Sequence, residues 1–576
     1  MRIAVLDRKK CVKGKNCSFE CIKYCPGVRM GQETIIKGED GYPIISEELC
    51  SGCGICIKKC PFSAIMIINL PEELGNPLHQ YGVNGFRVFG LPVPKEGVVG
   101  IIGSNGIGKS TVMKILSGQL IPNLGGDNAS WDEVIALHRG QETQSHLESL
   151  TKGAIKVSIK PQNVDLIPKA FNGTVSELLA KEKIEMPKGL GIEKFADHKL
   201  TEISGGELQR TAIAVALARD SDIYFFDEPT SYLDVSQRLK VAKLIRGLAA
   251  TKKVVVIEHD LAVLDYLSDY VHVMYGKPGA YGIVSTLKSV RVGINEFLDG
   301  FLSAENMRFR REGIKFPVKP PAGEWRGKPR QEYEAFTKEY ESFRLDTEAG
   351  LLRKGEVIGI LGPNAIGKST FMKVLAGVEK SKPELAWSLT VSYKPQYISS
   401  DYEGTVEMLL NESKINREVY DTYLKHELAD LLRKRVKELS GGEMQRVGIV
   451  LALARDCEVC LLDEPSAFLD VEQRIKFADL IRKITEKLDL TTLVIDHDIT
   501  LQDYVSDRLM IFDGTPGKRG HAHAAEAMHT GMNRFLADMD ITYRRDPDSG
   551  RPRSNKPGSQ KDSAQKKSGE YYYEFE

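Results

Sequence analysis

The sequence predicts an α/β protein: two phosphate-loop nucleotide-binding domains in tandem, preceded by a small α+β domain rich in cysteine. Three observations carry this. A G-x4-G-K-S loop, whose backbone N–H groups cradle phosphates, occurs at Gly103–Ser110 and again at Gly362–Ser369. The motifs behind each loop recur in order: Ser204 to Ser440 and Asp227 to Asp463 are both shifts of 236 residues, and His259 to His497 is 238. Eight of the ten cysteines lie between Cys11 and Cys60, ahead of the first loop.

Bulk properties narrow the class. A chain of 576 residues has room for several domains, each with its own core. With 79 basic and 79 acidic residues, any nucleic-acid contact must come from local patches. No apolar run approaches the roughly 18 residues of a membrane span. The start M-R-I-A-V-L-D-R-K-K has too short an apolar stretch for a signal peptide. A cytoplasmic protein is expected, in which clustered cysteines hold metal rather than form disulfides.

The first expected domain is 1–75. Its second cysteine group, Cys50, Cys53, Cys56 and Cys60 before Pro61, has the C-x2-C-x2-C-x3-C-P spacing of bacterial-type ferredoxins. In such runs three thiolates hold one [4Fe-4S] cluster and the fourth ligates the other. The first group, Cys11, Cys17, Cys21 and Cys25 before Pro26, is more widely spaced. The crossing rule therefore joins Cys25 to Cys50, Cys53 and Cys56, and Cys60 to Cys11, Cys17 and Cys21. Zinc is the alternative, but it is usually held by C-x2-C hooks far apart. A domain this small can hardly bury enough apolar surface unaided, so stability is a sufficient role for the clusters. Cys457 and Cys460 lead into an apolar strand and read as core.

The nucleotide-binding domains are expected at 76–300 and 336–525. In each, an apolar strand (Val98–Ile102; Val357–Leu361) runs into the Gly-rich turn and then a helix, whose N-terminus favours anions. The first loop offers Gly103, Asn105, Gly106, Gly108, Lys109, Ser110 and Thr111; the second offers Gly362, Asn364, Gly367, Lys368, Ser369 and Thr370. The lysines reach the β- and γ-phosphates of ATP, and Ser110 and Ser369 hold Mg2+. Buried strands Ile223–Phe226 and Val459–Leu462 deliver Asp227 and Asp463 to the magnesium shell, then Glu228 and Glu464 to polarise the attacking water. Gln162 and Gln396 are expected at the metal and γ-phosphate, and His259 and His497 at the γ-phosphate and water. S-G-G-E segments (Ser204, Gly205, Gly206, Glu207; Ser440, Gly441, Gly442, Glu443) open helices with serine at the N-cap. Tyr81 and Phe86 precede the first loop, and Tyr340 and Phe343 the second, as candidates to stack on adenine or to pack in the core.

The halves are not identical. Ala365 stands where the first loop has Gly106, and alanine is strained if that position needs φ > 0. Tyr232 likewise corresponds to Phe468, ahead of Asp234 and Asp470. Unequal turnover at the two sites is expected, and equal rates in Glu228→Gln and Glu464→Gln variants would sink it.

These motif sets resemble ABC ATPases, and that resemblance implies composite sites. Lys109, Asp227 and Glu228 would face Ser440, Gly441 and Gly442, while Lys368, Asp463 and Glu464 would face Ser204, Gly205 and Gly206. A two-cluster head on tandem ABC halves resembles the E subfamily, the RNase L inhibitor proteins, ribosome-recycling ATPases of archaea and eukaryotes. V-R-M-G (Val28–Gly31), C-G-I-C-I-K-K-C-P-F (Cys53–Phe62), E-H-D-L-A-V-L-D-Y-L-S-D (Glu258–Asp269), F-L-D-G (Phe297–Gly300) and Y-R-R-D-P (Tyr543–Pro547) strengthen the likeness. It implies ATP-driven splitting of ribosomes after termination or stalling with a release factor or Pelota-type factor. It also implies binding to the small subunit through rRNA and ribosomal proteins, by a monomer whose ATPase halves pair within the chain.

Three segments outside the motifs bear on partners. An acidic helix–loop–helix insert is expected at about 125–153, with Trp131, Val134 and Leu137 on one helix face and Leu147 and Leu150 on the next. His138 and His146 stand there where aromatics are expected in relatives. Basic runs fall in two expected hinges, 301–335 and 526–576, where Arg308, Arg310, Arg311, Arg544 and Arg545 are candidates for phosphate contact. Three other readings fit the motifs. They are an ATPase coupled to iron–sulfur electron transfer, a motor with a separate membrane subunit, and another soluble ABC protein of translation or DNA repair. The first predicts nucleotide-dependent cluster reduction, the second stimulation by a membrane protein, and only partner binding separates the third.

Overall fold

The computed structural model describes all residues except 1, 9, 70–73, 127, 186–188, 317–326, 386, 399–400 and 573–576. The chain opens with strand Arg2–Leu6, paired antiparallel with Ile65–Asn69. Alternate side chains of a strand point to opposite faces, and here both faces are buried. Ala4, Leu6 and Ile65 face the cysteine-rich core, while Ile3, Val5, Met66 and Ile68 pack on the first ATPase half. This explains why the segment reads as an unbroken apolar run. Glu47 ties the same surfaces together, its carboxylate 2.6 Å from the buried Arg87 guanidinium.

Each ATPase half is built on parallel strands whose central members are buried from end to end. In the first, Ile223–Asp227 lies between Val157–Lys160 and Lys253–Ile257. In the second, the order is Val391–Lys394, Val459–Asp463, Thr491–Ile495, Glu356–Leu361 and Arg508–Thr515. Such runs, rich in Val, Ile, Leu and Phe, suit strands covered on both faces. The phosphate loop leaves the C-terminal end of Gly97–Ile102 or Glu356–Leu361 and enters helix Lys109–Leu116 or Lys368–Leu375. That is where open α/β sheets bind ligands.

The insert contains helices Trp131–Leu137 and Glu142–Thr151. Val134 and Leu147 are fully buried, but Leu137 is 55% exposed and does not share the face expected for it. Its place is taken by histidine. His138 Nδ1 lies 2.9 Å from Gln141 Oε1 and 3.1 Å from Thr143 Oγ1, and His146 Nε2 donates to Leu116 O at 2.8 Å. Both imidazoles fasten the insert internally or to the phosphate-loop helix.

The basic C-terminal segment is also more committed than its charge suggested. Arg545 pairs with Asp503 of the second half at 2.7 Å, while Arg551 and Arg553 reach Asp265 of the first at 3.2 and 2.7 Å. Asp265 and Asp503 lie on matching helices, Leu261–Leu267 and Ile499–Val505. Arg310 pairs with Glu472 across the halves at 3.2 Å. Arg310 and Arg545 are therefore structural clamps rather than free phosphate ligands, whereas Arg308 and Arg311 are exposed. The basic residues Lys319 and Arg326 lie outside the described residues. Strand Glu526–Ala527 and helix Met528–Asp538, expected in the second hinge, pair with and pack on Arg508–Thr515. They match Lys288–Ser289 and Val290–Asp299 of the first half.

Candidate nucleotide and iron–sulfur sites

Both phosphate loops close on their own lysines. Lys109 Nζ donates to Gly103 O at 2.8 Å and Ser104 O at 3.0 Å; Lys368 Nζ donates to Gly362 O at 2.9 Å and Pro363 O at 2.6 Å. Burial pushes Lys368 down to about 8, against the opposing pull of Glu464, Asp234 and Asp463. The position held by glycine in the first loop and alanine in the second is left-handed in both, with φ of 74° at Gly106 and 57° at Ala365. Alanine there carries the steric cost that glycine avoids. Phe86 packs against Gly108 and Phe343 against Gly367, while the Tyr81 hydroxyl lies 3.1 Å from Thr111 Oγ1. Tyr81, 46% exposed, and Tyr340, 43% exposed, keep open ring surface beside the loops.

The strands then place the acidic groups. Asp227 Oδ2 accepts from Ser110 Oγ at 2.9 Å. Among the described residues, Asp227 Oδ1 and both carboxylate oxygens of Asp463 are buried without a hydrogen-bond partner. Anionic oxygens kept dry and unpaired beside a serine hydroxyl suit Mg2+. Burial raises Asp227 and pushes Asp463 up to about 6. The next residue behaves differently. Burial acts to raise Glu228 and Glu464, but the hydrogen bonding and charge of His259 and His497, with the phosphate-loop lysines, hold both near 2. Each is an anion at neutral pH, 3.5 Å (Glu228) or 3.6 Å (Glu464) from its histidine. Gln162 Nε2 donates to Glu228 Oε1 at 2.6 Å, and Gln396 Nε2 to Glu464 Oε1 at 2.8 Å. Both glutamates adopt left-handed backbone, with φ of 47° and 46°, strain that clusters at working sites.

Two lysines were missed. Lys160 Nζ donates to Asp227 O and Glu228 O at 2.9 and 3.2 Å, and Lys394 Nζ donates to Asp463 O at 2.8 Å. They fix the strained turn that carries both acids. The recurring Lys-Pro-Gln at 160–162 and 394–396 was the available signal.

The sites also receive groups from the opposite half. Asn105 N donates to Asp470 Oδ2 at 2.9 Å, and Asn364 N donates to Asp234 Oδ2 at 3.0 Å. Each bond joins one half's phosphate loop to the other half's aspartate. Ser204 and Ser440 cap their helices, and Glu207 and Glu443 use their carboxylates to complete the caps, accepting from the serine N–H at 2.8 and 3.0 Å. Gly205 packs on the Tyr232 ring and Gly441 on the Phe468 ring. Those rings meet edge to face, with centroids 5.9 Å apart.

The cysteines gather in two cavities. One is lined by Cys11, Cys17, Cys21 and Cys60; the other by Cys25, Cys50, Cys53 and Cys56. The fourth cysteine of each sequence group thus stands in the other group's cavity. Burial pushes Cys21 up to about 12 and Cys56 to about 11, with neighbouring sulfurs adding to the effect. Four thiolates need a bound cation to share such a space, so the donor set fits an iron–sulfur cluster. Cys457 and Cys460 lie in and against the core of the second half.

Comparison with known proteins gives a consistent picture. The ABC transporter family matches residues 87–231 and 349–467. A possible Fer4-like domain in RNase L inhibitor, RLI, matches 1–33, and the 4Fe-4S binding domain matches 43–66. ABC transporter E family member 1 of Arabidopsis thaliana is 44% identical over 99% of this chain and 98% of its own. A model of ribosome-bound archaeal Pelota and ABCE1 is similar at 54% identity and a TM-score of 0.92, covering 100% of this chain and 99% of that one. A complex of archaeal ribosomal stalk protein aP1 with the archaeal ribosome recycling factor aABCE1 gives 55% identity and a TM-score of 0.83, over 86% of this chain and 99% of that one.

Proposed function

The chain belongs to the RNase L inhibitor family, the E subfamily of ABC ATPases, and we propose that it is an ATP-driven ribosome-recycling factor. It splits ribosomes into subunits after termination or stalling, with a release factor or Pelota-type partner, and stays on the small subunit. It is an ATP-hydrolysing enzyme carrying 4Fe-4S clusters. The observation that carries the mechanical reading is the reciprocal pair of bonds from Asp470 to the first loop and Asp234 to the second. A nucleotide held at either loop therefore sits at the seam between halves, and its state is felt by both.

In this reading Lys109 and Lys368 hold the phosphates, and Ser110, Gln162 and Asp227 hold Mg2+ at one site as Ser369, Gln396 and Asp463 do at the other. Glu228 and Glu464 are anions positioned to accept a proton from the attacking water, each oriented by its glutamine and histidine. Ser204–Gly206 and Ser440–Gly442 complete the opposite site when ATP joins the halves. The strained Ala365 makes the second site unequal to the first in turnover. The clusters stiffen the head, which reaches the second half through Arg433 Nη1 donating to Pro61 O at 3.1 Å. No helix among the described residues is long and apolar enough to cross a membrane, and the proposed site of action is the cytoplasm. We place the ATPase halves at 76–300 and, with the strand and helix that pack on its sheet, 336–538.

The test is anaerobic protein mixed with whole ribosomes, a release or rescue factor and ATP, read on a sucrose gradient. Free subunits are expected, with the protein retained on the small one when Glu228→Gln/Glu464→Gln protein is used. Intact ribosomes and unbound protein, despite active ATPase and loaded clusters, would overturn the proposal.

A further inference from the structure

We propose that Glu348, His521 and His523 form a binding site for a divalent transition-metal ion of the zinc type, on the second ATPase half and apart from the nucleotide and cysteine sites. The placement follows from strand geometry. Strand Arg344–Thr347 runs parallel to Arg519–Ala522 with Asp346 opposite His521. Glu348 and His523 each lie two residues further on, so the period of two brings them to the same face as His521. One donor atom from each of the three lies within 4.8 Å of the others, and no other such group occurs among the described residues.

The geometry is that of a half-open ligand set. His521 Nε2 and His523 Nδ1 converge on the same oxygen, Glu348 Oε1, at 3.0 and 3.1 Å. Donors around tetrahedral zinc, at about 2.0–2.2 Å from the metal, stand roughly 3.3 Å apart. An ion would thus need the two glutamate–histidine pairs to open by only a few tenths of an ångström. The second nitrogen of His523 points at Asp513 Oδ2, 2.6 Å away. A carboxylate on the far nitrogen is the arrangement that orients metal-bound histidine and fixes its tautomer. The other Glu348 oxygen accepts from Ala524 N at 2.8 Å, which holds that carboxylate in place. Side-chain exposures of 43% for Glu348, 37% for His521 and 23% for His523 leave room for an ion to enter with water as its fourth ligand. Two imidazoles and one carboxylate select zinc-like ions over Mg2+ and Ca2+, which prefer all-oxygen shells. Gly520, the residue before His521, packs directly on Ile366 O, so the site lies on the strand that abuts the second phosphate loop.

The experiment is equilibrium dialysis of cluster-loaded protein against micromolar free Zn2+ without nucleotide, with zinc and iron counted by mass spectrometry. Wild type should hold one more zinc per chain than His521→Gln/His523→Gln, with equal iron in both. Asp513→Asn should weaken zinc binding by roughly 10–100-fold. Equal zinc in wild type and the double variant would overturn the proposal and leave a hydrogen-bonded network of histidines and carboxylates. Should the double variant lose iron or unfold, His521→Gln alone and Asp513→Asn decide, and undiminished zinc affinity in both would overturn it equally.

Discussion

Asp470 offers a direct way to weaken the seam between the halves. Its Oδ2 accepts from Asn105 N across the seam at 2.9 Å, and its Oδ1 caps its own helix by accepting from Gln473 N, also at 2.9 Å. Serine is as good an N-cap as aspartate, but its one oxygen cannot serve both donors. Asp470→Ser therefore removes the cross-half bond while keeping the helix. A hydrogen bond to a charged acceptor contributes about 1.5–3 kcal/mol, and Asn105 is exposed enough for water to replace the lost oxygen, which favours the lower end. A loss of about 1.5 kcal/mol is roughly tenfold in the closure equilibrium. The assay is energy transfer between fluorophores on the two halves during ATP titration, in a Glu228→Gln/Glu464→Gln background that keeps ATP intact. The midpoint should rise about tenfold, and Asp234→Ser, whose cross-half bond is 3.0 Å, should act alike. Closure curves superimposable on the parent's for both serine variants, with helix content unchanged, would refute the assignment of these bonds to ATP-driven closure.

Three further outcomes are expected. A Cβ on Gly520 would stand 1.9 Å from Ile366 O, so Gly520→Ala should displace the second phosphate loop; nucleotide affinity at that site should fall at least tenfold, read with a fluorescent ATP analogue, while Gly247→Ala, on a helix of the first half with nothing near its Cβ, should leave it intact. The crossed cysteines predict a non-additive series in iron content. Cys60→Ser should halve the iron, adding Cys17→Ser should remove no more, and adding Cys53→Ser instead should remove the rest. Burial holds His272 down to about 4, with its Nδ1 donating to Ser285 O at 2.8 Å and its Nε2 accepting from Val93 N at 2.9 Å. The unfolded chain binds this proton below about pH 6.5 and the folded chain only near 4, so stability falls as pH drops through that window, by up to about 3 kcal/mol. In denaturant titrations across it, His272→Gln should lose that part of the pH dependence.

Motifs that act within one segment were legible in the sequence. The phosphate loops, the Asp-Glu pairs and the S-G-G-E caps each depend on local spacing, and duplication showed every one of them twice. The cysteine crossing was legible because a chemical rule links residues far apart in sequence. What spacing could not show was contact between halves. Asp234 and Asp470 were visible only as the ends of segments carrying Tyr232 and Phe468, since their partners lie 130 and 365 residues away. The hinge arginines misled for the same reason. A basic run reads as a free surface until Asp265, Asp503 and Glu472 are brought against it. Leu137 misled locally, because the buried position beside it went to His138, whose Nδ1 meets Gln141 and Thr143.

The contacts that were hidden are also those that let one site influence the other. Arg238 lies on the helix that follows Asp234, pairs with Asp260 at 2.8 Å, and reaches across to His497 O at 3.4 Å. His497 in turn stands 3.6 Å from Glu464, the proposed water-activating group of the second site. Arg474 pairs in the same way with Asp498 at 2.9 Å. Burial and the nearby charge of Asp498 push Asp260 up to about 6, so the two aspartates repel one another where the halves meet. Attraction through Arg238 and Arg474 and repulsion between Asp260 and Asp498 therefore oppose each other at one seam. Buried charges balanced in this way are strongly affected by a small change in separation. A displacement of His497 that followed the state of the second nucleotide would thereby be transmitted to the helix whose N-cap, Asp234, holds that same nucleotide's loop from the other half.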